Sequence, residues 1–539
     1  MIIDDFAPAD IQVAQRLTAL AGETSQDVAL AVRLVVRALR GGSVCVDLRA
    51  AAPEVGLQAD EWLAAVAASP LAQTPPVLRL FGDLLYLDRY WLEEQQVCTD
   101  VLTLVGTVPP GRAPDVLRLF DDNYAEQRAA ANMALSQGLT VLTGGPGTGK
   151  TTTVARLLAL LAEQAALEGR PSPRIALAAP TGKAAARLQE AVQAAVDALD
   201  AADRSRLTGL QATTLHRLLG SRPDTSSRFR HHRGNRLPHD VIVVDETSMV
   251  SLTMMARLLE AVRPDTRLLL VGDPDQLASV EAGAVLADLV QGLGAARVAS
   301  LTTSHRFGAD IGDLAAAVRD GDADTALQVL RAGGAHIEWL PSAQSLRDVL
   351  LPQALRLREA CVLGDTATAL RTLEEHRLLC AHRREVAHWN RQVERWLTEA
   401  TGEPLWSTWY AGRPILVTAN DYGLKLYNGD TGVTVATPDG LRVAVGGPSF
   451  GTLTFAPGRL AEVDTMHAMT IHKSQGSQSA EVTVLLPPED SQLLTRELFY
   501  TAVTRAQARV RVVGSEAEVR AAIDRQAVRA TGLGRRLKV

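Results

Sequence analysis

The sequence predicts an α/β protein: two parallel-sheet lobes, a helical N-terminal segment, and a small β insertion in the second lobe. Three observations carry that prediction. From about residue 117 to 295, short apolar runs alternate with helical stretches; the runs are Leu139 to Thr143, Arg174 to Pro180, Val241 to Glu246 and Arg267 to Asp273. Continuous apolar strands of this kind suit a parallel sheet covered by helices on both faces. A second α/β region follows over residues 296–539, with strands expected at His376 to Arg383 and Ala480 to Pro487. Between those two, residues 402–463 form a β-rich stretch with turns at Asn428-Gly429-Asp430 and Pro438-Asp439-Gly440, which predicts a small inserted barrel.

Residues 1–112 are expected to be helical, with one amphipathic stripe at Ile11, Val13, Ala14, Leu17 and Leu20 and a second at Val28, Ala31, Val32, Val35 and Val36. The Pro/Gly-rich run from Val105 to Pro114 reads as a linker. At 539 residues the chain has room for about three or four domains. Apolar content of 47% against 22% charged residues excludes a disordered chain, and a net charge of −6 excludes a uniformly basic nucleic-acid coat while leaving room for a local basic track. No apolar run is long enough to span a bilayer, and the acidic start MIIDDFAPAD is unlike a signal peptide. Cys45, Cys98, Cys361 and Cys380 are far apart, which argues against a zinc site or a disulfide framework and for buried thiols in a reducing cytoplasm.

Chemistry is densest at GGPGTGKT, comprising Gly144, Gly145, Pro146, Gly147, Thr148, Gly149, Lys150 and Thr151, between a strand and a helix that begins near Thr152. Its glycines let backbone N–H groups curl around phosphates, Lys150 reaches the β- and γ-phosphates, and the Thr151 hydroxyl holds Mg²⁺. The helix N-terminus adds its positive dipole end. The run Val241 to Val244 ends in Asp245 and Glu246, the first placed to support Mg²⁺ and the second to deprotonate an attacking water.

Further groups fit the same chemistry. Gln276 in GDPDQL stands where it could sense a γ-phosphate, although an ordinary β-turn also accounts for that run. The Gln127 amide, upstream of the P-loop, can read an adenine edge. Arg306 and Arg505 could each reach across a cleft as an arginine finger, the commoner fate of an arginine being a surface salt bridge. Thr181, Gly182 and Lys183 form a strand-to-helix turn that suits a grip on a backbone phosphate, or simply an N-cap. TIHKSQGSQ, with Thr470, His472 and Ser474, suits contact with a single strand threaded between the lobes. A basic hairpin near nucleic acid is expected over about residues 222–239, carrying Arg228, Arg230, Arg233 and Arg236 with a turn at Gly234-Asn235; a flexible charged loop is the alternative.

Taken in order, these motifs, together with TTLHRLLG and ELFYTAVTRA, resemble superfamily 1 DNA helicases of the RecD-like, 5′-to-3′ branch over about residues 117–506. The resemblance implies two RecA-like P-loop NTPase lobes with ATP and Mg²⁺ in the cleft, an SH3-like insertion, and Thr214 and His216 among the DNA contacts. LYLDRYWLEE (Leu85 to Glu94) is similar to a segment of the exodeoxyribonuclease V alpha-subunit family. That likeness implies the motor subunit of a RecBCD-type heterotrimer with RecB-like and RecC-like partners, acting on single-stranded DNA and duplex ends in recombinational repair. Residues 1–112 would then dock on the RecC-like partner. No acidic pair followed by a Lys at a strand end stands outside the ATP site, so any nuclease activity is expected in another subunit. Two other readings fit the residues: a stand-alone RecD-like helicase, and a scaffold subunit whose nucleotide site is a switch.

Overall fold

The computed structural model describes residues 6–109, 114–222, 225–303, 309–405, 407–421, 423–447 and 451–538. The first lobe is built on six parallel strands in the order Val298–Leu301, Leu139–Gly144, Arg267–Gly272, Val241–Val244, Ile175–Ala179 and Ala212–Thr214. Every residue of Val241–Val244 and Arg267–Gly272 is buried, as expected for strands covered on both faces. The edge strand Val298–Leu301 lies beyond residue 295, so this sheet draws on more of the chain than the apolar runs had indicated. Because the strands run parallel, their carboxyl ends line one edge, and the chemistry-bearing turns after Gly144, Ala179, Thr214, Val244 and Gly272 collect there.

The second lobe holds five parallel strands in the order Ile337–Leu340, Ala506–Val513, Ser479–Leu485, His376–Cys380 and Ala468–Thr470. The β insertion is a five-stranded antiparallel sheet, ordered Gly451–Phe455, Gly440–Gly447, Thr431–Thr437, Pro414–Val417 and Val463–Thr465. Ile415, Val417, Leu426, Val443 and Val445 give it a small core of its own.

The N-terminal segment is mainly helical: Pro8–Ala21, Gln26–Arg40, Leu48–Val55, Ala59–Ala68 and Asp88–Gly106. It also contains a three-stranded antiparallel sheet, Cys45–Asp47, Leu84–Leu87 and Leu78–Phe81, which the helical expectation missed. These strands are three or four residues long, too short to show a period of two in the sequence. The second predicted stripe holds, with Val28, Ala31, Val32 and Val35 all buried. The first is narrower than expected: Ala14 is buried, whereas Val13 and Leu20 are 40% and 69% exposed. Asp88–Gly106 takes in Val105 and Gly106, so the linker begins at Thr107.

The C-terminal tail leaves the second lobe after the helix Glu516–Asp524 and returns to the first. Leu533 and Leu537 join the core that includes Leu139, Val141 and Leu268. Ala530 accepts from the backbone N–H of Val44, and Arg529 donates to the carbonyls of Ser279, Glu281 and Gly283. All four cysteines are free thiols, with Cys98 partly exposed and the others buried. Among the described residues, no helix is long and apolar enough to cross a membrane.

Candidate functional site

A cavity of about 730 Å³ lies between the lobes, within the range of small-molecule sites. Its first-lobe wall is the P-loop. Gly147 and Gly149 adopt φ of +84° and +82°, which turns the chain so that the helix Lys150–Leu167 starts at Lys150. A Cβ at Gly144 would stand 2.6 Å from the Thr148 hydroxyl, so the loop folds tightly only with glycine there. Thr148 closes the loop by donating to the Gly145 carbonyl at 2.9 Å. Lys150 Nζ arches over it and donates to the carbonyls of Gly144 and Gly145 at 2.6 and 2.9 Å. Gly145, Thr151, Thr152, Gln127 and Pro146 follow the same bowl, and all but Gly145 line the cavity. Gln127 is 5% exposed.

Asp245 and Glu246 face this loop from the end of Val241–Val244. Glu246 takes a left-handed backbone, φ +51°, a conformation that costs a non-glycine residue energy and clusters at functional sites. Its backbone N–H donates to Asp245 Oδ1 at 2.9 Å. Burial, then the neighbouring Glu246 carboxylate, push Asp245 up to about 6. A divalent cation at this carboxylate would reverse that shift, because a bound cation is the largest charge in such a site.

The second lobe closes the cavity through a chain of hydrogen bonds. Arg505, 3% exposed, donates from Nη2 to Gln276 Oε1 at 2.9 Å and from Nε to the Thr501 carbonyl at 3.1 Å. Gln276 in turn donates to Asp273 Oδ2 at 2.9 Å, and Tyr500 donates to the same oxygen at 3.1 Å. Gln475 Nε2 donates to the Leu277 carbonyl at 2.7 Å, and the Leu277 N–H donates to Thr501 Oγ1 at 2.8 Å. The turn Asp273 to Leu277 is therefore the hub between the lobes rather than a free β-turn. Arg306 lies outside the described residues.

The expected strand contacts share one local design. Thr214 and Thr470 end a parallel strand and Thr181 follows one, and each caps a helix, accepting from the N–H of Arg217, Lys473 and Ala184 respectively. The N-cap alternative for Thr181 is thus present in the structure. Gly182 lies against the insertion: a Cβ there would stand 2.7 Å from Cβ of Tyr427. Burial, then the charge of Arg377, push Lys183 down to about 8. His216 packs edge-on to Phe229 at 5.7 Å, and burial lowers both His216 and His472. Ser474 is 2% exposed and donates to the Ile471 carbonyl, so its hydroxyl points into the protein.

The basic stretch differs from the expected hairpin. Its ladder joins Ser221–Arg222 to Thr225–Phe229, and the turn at Gly234-Asn235 sits outside it, closed by a bridge from His232 to Asn235. Arg233 pairs with Asp100 of the N-terminal segment at 2.8 Å, and Arg236 donates to the Val262 carbonyl. Two of the four arginines thus hold the fold together.

Sequence reasoning missed Phe120, Tyr124, Arg156 and Arg187 in the cavity wall. Arg156 stacks over Tyr124 and Phe120, 4.7 and 5.6 Å from their ring centroids. No spacing rule marks these residues, and only the meeting of distant segments brings them together.

Three family models match: an AAA domain over residues 127–282, a UvrD-like helicase C-terminal domain over 465–513, and the N-terminal domain of RecBCD enzyme subunit RecD over 5–86. The RecBCD enzyme subunit RecD of Mycolicibacterium smegmatis is 75% identical, over 98% of this chain and 97% of that protein. That of Mycobacterium tuberculosis is 65% identical, over 98% and 94%. The ATP-dependent RecD2 DNA helicase of Deinococcus radiodurans is 32% identical, over 82% of this chain and 57% of that protein. Among solved structures, the Pif1 helicase of Candida albicans is 17% identical with a TM-score of 0.42, over 73% of this chain and 95% of that one.

Proposed function

The chain belongs to the RecD family of RecBCD enzyme subunits, and from that premise we propose that it is the ATP-driven, 5′-to-3′ DNA motor of a RecBCD-type complex. The observation that carries the reading is the cavity where Lys150, Asp245, Glu246, Gln276 and Arg505 converge from both lobes. A cleft built this way can couple a nucleotide's state to the separation of two lobes.

The residues fit ATP with Mg²⁺. The loop from Gly144 to Gly149 presents backbone N–H groups at a helix start, where phosphate binds well. Thr151 and Asp245 would hold the ion, and few protein ligands suffice because Mg²⁺ keeps most of its waters. An Mg²⁺ ion held there would neutralise charge on the transferring phosphoryl group. Lys150 swings from its own loop carbonyls to the phosphates. Glu246, in the cavity wall, orients and deprotonates the attacking water. Arg505, held by Gln276 and the Thr501 carbonyl, meets the charge that develops on the γ-phosphoryl oxygens, a task shared with Arg306. The Gln127 amide reads the adenine.

Thr181, Gly182, Lys183, Thr214 and His216 on the first lobe, with Thr470, His472 and Ser474 on the second, form the track for single-stranded DNA. Thr181, Thr214 and Thr470 place helix N-termini along one sheet edge of each lobe, where backbone phosphates are bound. Ser474 acts by bracing the segment. Residues 1–112 serve as the docking unit for a RecC-like subunit; their exposed Val13 and Leu20 suit a covered surface. The 75% identity to a RecD subunit over 98% of this chain, against 32% to the RecD2 helicase over 82%, favours the subunit reading.

The test is Lys150→Ala in the full chain. DNA-stimulated ATP hydrolysis is expected to vanish while co-purification with the partner subunits persists. Hydrolysis at the wild-type rate would refute the assignment.

A further inference from the structure

Two elements touch both the nucleotide cavity and the strand track. The helix Gly182–Asp197 begins at the turn Thr181 to Lys183 and, one turn later, sets Arg187 in the cavity wall. From the second lobe, the segment starting at Thr470 and His472 ends with Gln478 in the same wall. The two meet: Arg187 Nη2 donates to Gln478 Oε1 at 2.6 Å, across 291 positions of sequence. Gln478 also accepts from Gln507 at 3.4 Å, and the adjoining Ser477 carbonyl accepts from Arg505 at 3.4 Å.

The choice of residues is informative. Among the described residues Arg187 forms no ion pair within 4.0 Å, and its charge acts on Asp245 and Arg505 on the cavity side, on Lys183 on the track side and on Glu190 of its own helix. A passive tie between lobes needs only a neutral donor. A guanidinium facing a cavity built for a polyphosphate gains its counter-charge from that ligand, and its planar fork can serve a phosphate and an amide together.

We propose that Arg187 and Gln478 are a pair of positioning residues, the joint through which nucleotide occupancy sets the spacing of the two strand grips. Closure on nucleotide makes the bond and fixes the helix Gly182–Asp197 against the segment 470–478; reopening breaks it and lets one grip advance. The joint rests on the motor reading above.

Linkage gives the test. If the joint couples the two sites, a nucleotide analogue changes DNA affinity by some factor, and DNA changes analogue affinity by the same factor. In the full-length chain, binding of a fluorescent oligothymidine is measured with and without a non-hydrolysable ATP analogue plus Mg²⁺, and analogue binding with and without the oligothymidine. A wild-type factor of about tenfold is expected, inside the usual range for coupled sites. Arg187→Met and Gln478→Leu should each bring it below about twofold, and the double variant should go no further than either single one. Arg187→Lys keeps the charge without the fork and should also lose most of the factor, while its thermal melting matches wild type. Variants that weaken both affinities yet preserve the factor would overturn the joint and make both residues local ligands. Additive losses in the double variant would overturn it as well. A wild-type chain that binds no DNA would instead refute the motor reading itself.

Discussion

Arg536→Ala tests how the tail is fastened. Arg536 donates from Nε to Glu94 Oε2 at 3.0 Å, and Glu94 is fully buried. The same carboxylate accepts from Tyr86 OH at 2.9 Å and from the Gly532 N–H at 2.8 Å. The guanidinium lies 4.0 Å from the Phe81 ring centroid and 5.3 Å from that of Trp91, while its buried Nη2 has no hydrogen-bond partner among the described residues. Breaking a buried pair by removing one partner costs about 3–5 kcal/mol, since the remaining charge stays desolvated. Two surviving donors to Glu94 place this case near the lower end, and the lost ring contacts add about 1–2 kcal/mol. The sum is about 4–5 kcal/mol. It falls on a local unit, so the tail opens before the lobes unfold. Hydrogen exchange in residues 84–98 and 529–538, with urea unfolding, reads the effect. Glu94→Gln alone should cost about 1–2 kcal/mol, because the side chain stays but the uncompensated cation remains. The double variant Glu94→Gln/Arg536→Ala should cost about 2–3 kcal/mol less than the sum of its parts. Single costs that add within about 0.5 kcal/mol would refute the pairing argument.

Other outcomes follow from the same contacts. Glu246→Gln should retain nucleotide binding and slow hydrolysis by about 10²–10⁴-fold, measured by phosphate release in a single turnover; a loss below about tenfold would remove its role as base. Lys183→Ala should weaken single-strand binding evenly across sequences and reduce the salt slope of log K by about one, read from titrations at several salt concentrations. Asp288 is a stability switch: burial pushes its carboxyl up to about 7 from an ordinary 3.8, so its contribution is full below about pH 4 and is lost as the pH rises through about 7. Asp288→Asn should therefore raise the melting temperature more at pH 8 than at pH 5, and equal gains at both would contradict the assignment.

Much of the site could be read from the chain because its geometry is local. The conformation of the loop is set by residues from Gly144 to Thr151, each acting on backbone within a few positions, and the strand ahead of it is buried from Leu139 to Thr143. The same holds for the turn at Asp245-Glu246 and for the cap at Thr181, where a strand, a hydroxyl and a helix follow one another directly. The small N-terminal sheet escaped because strands of three or four residues carry too little pattern to outweigh the helical periodicity around them.

The tertiary structure decided what depends on meeting at a distance. Arg233 could not be separated by sequence from a residue facing nucleic acid until Asp100 stood beside it. The fastening of the tail at Glu94 joins residues 442 positions apart, and Arg187 reaches Gln478 across 291. Sequence alone determined the fold class, the phosphate loop and the motif order, because those follow from backbone conformation and apolar burial within short windows. It left open which arginines line the cavity and which brace the fold, because a long charged side chain serves whichever carboxylate, amide or ring the folded chain brings within about 3–6 Å.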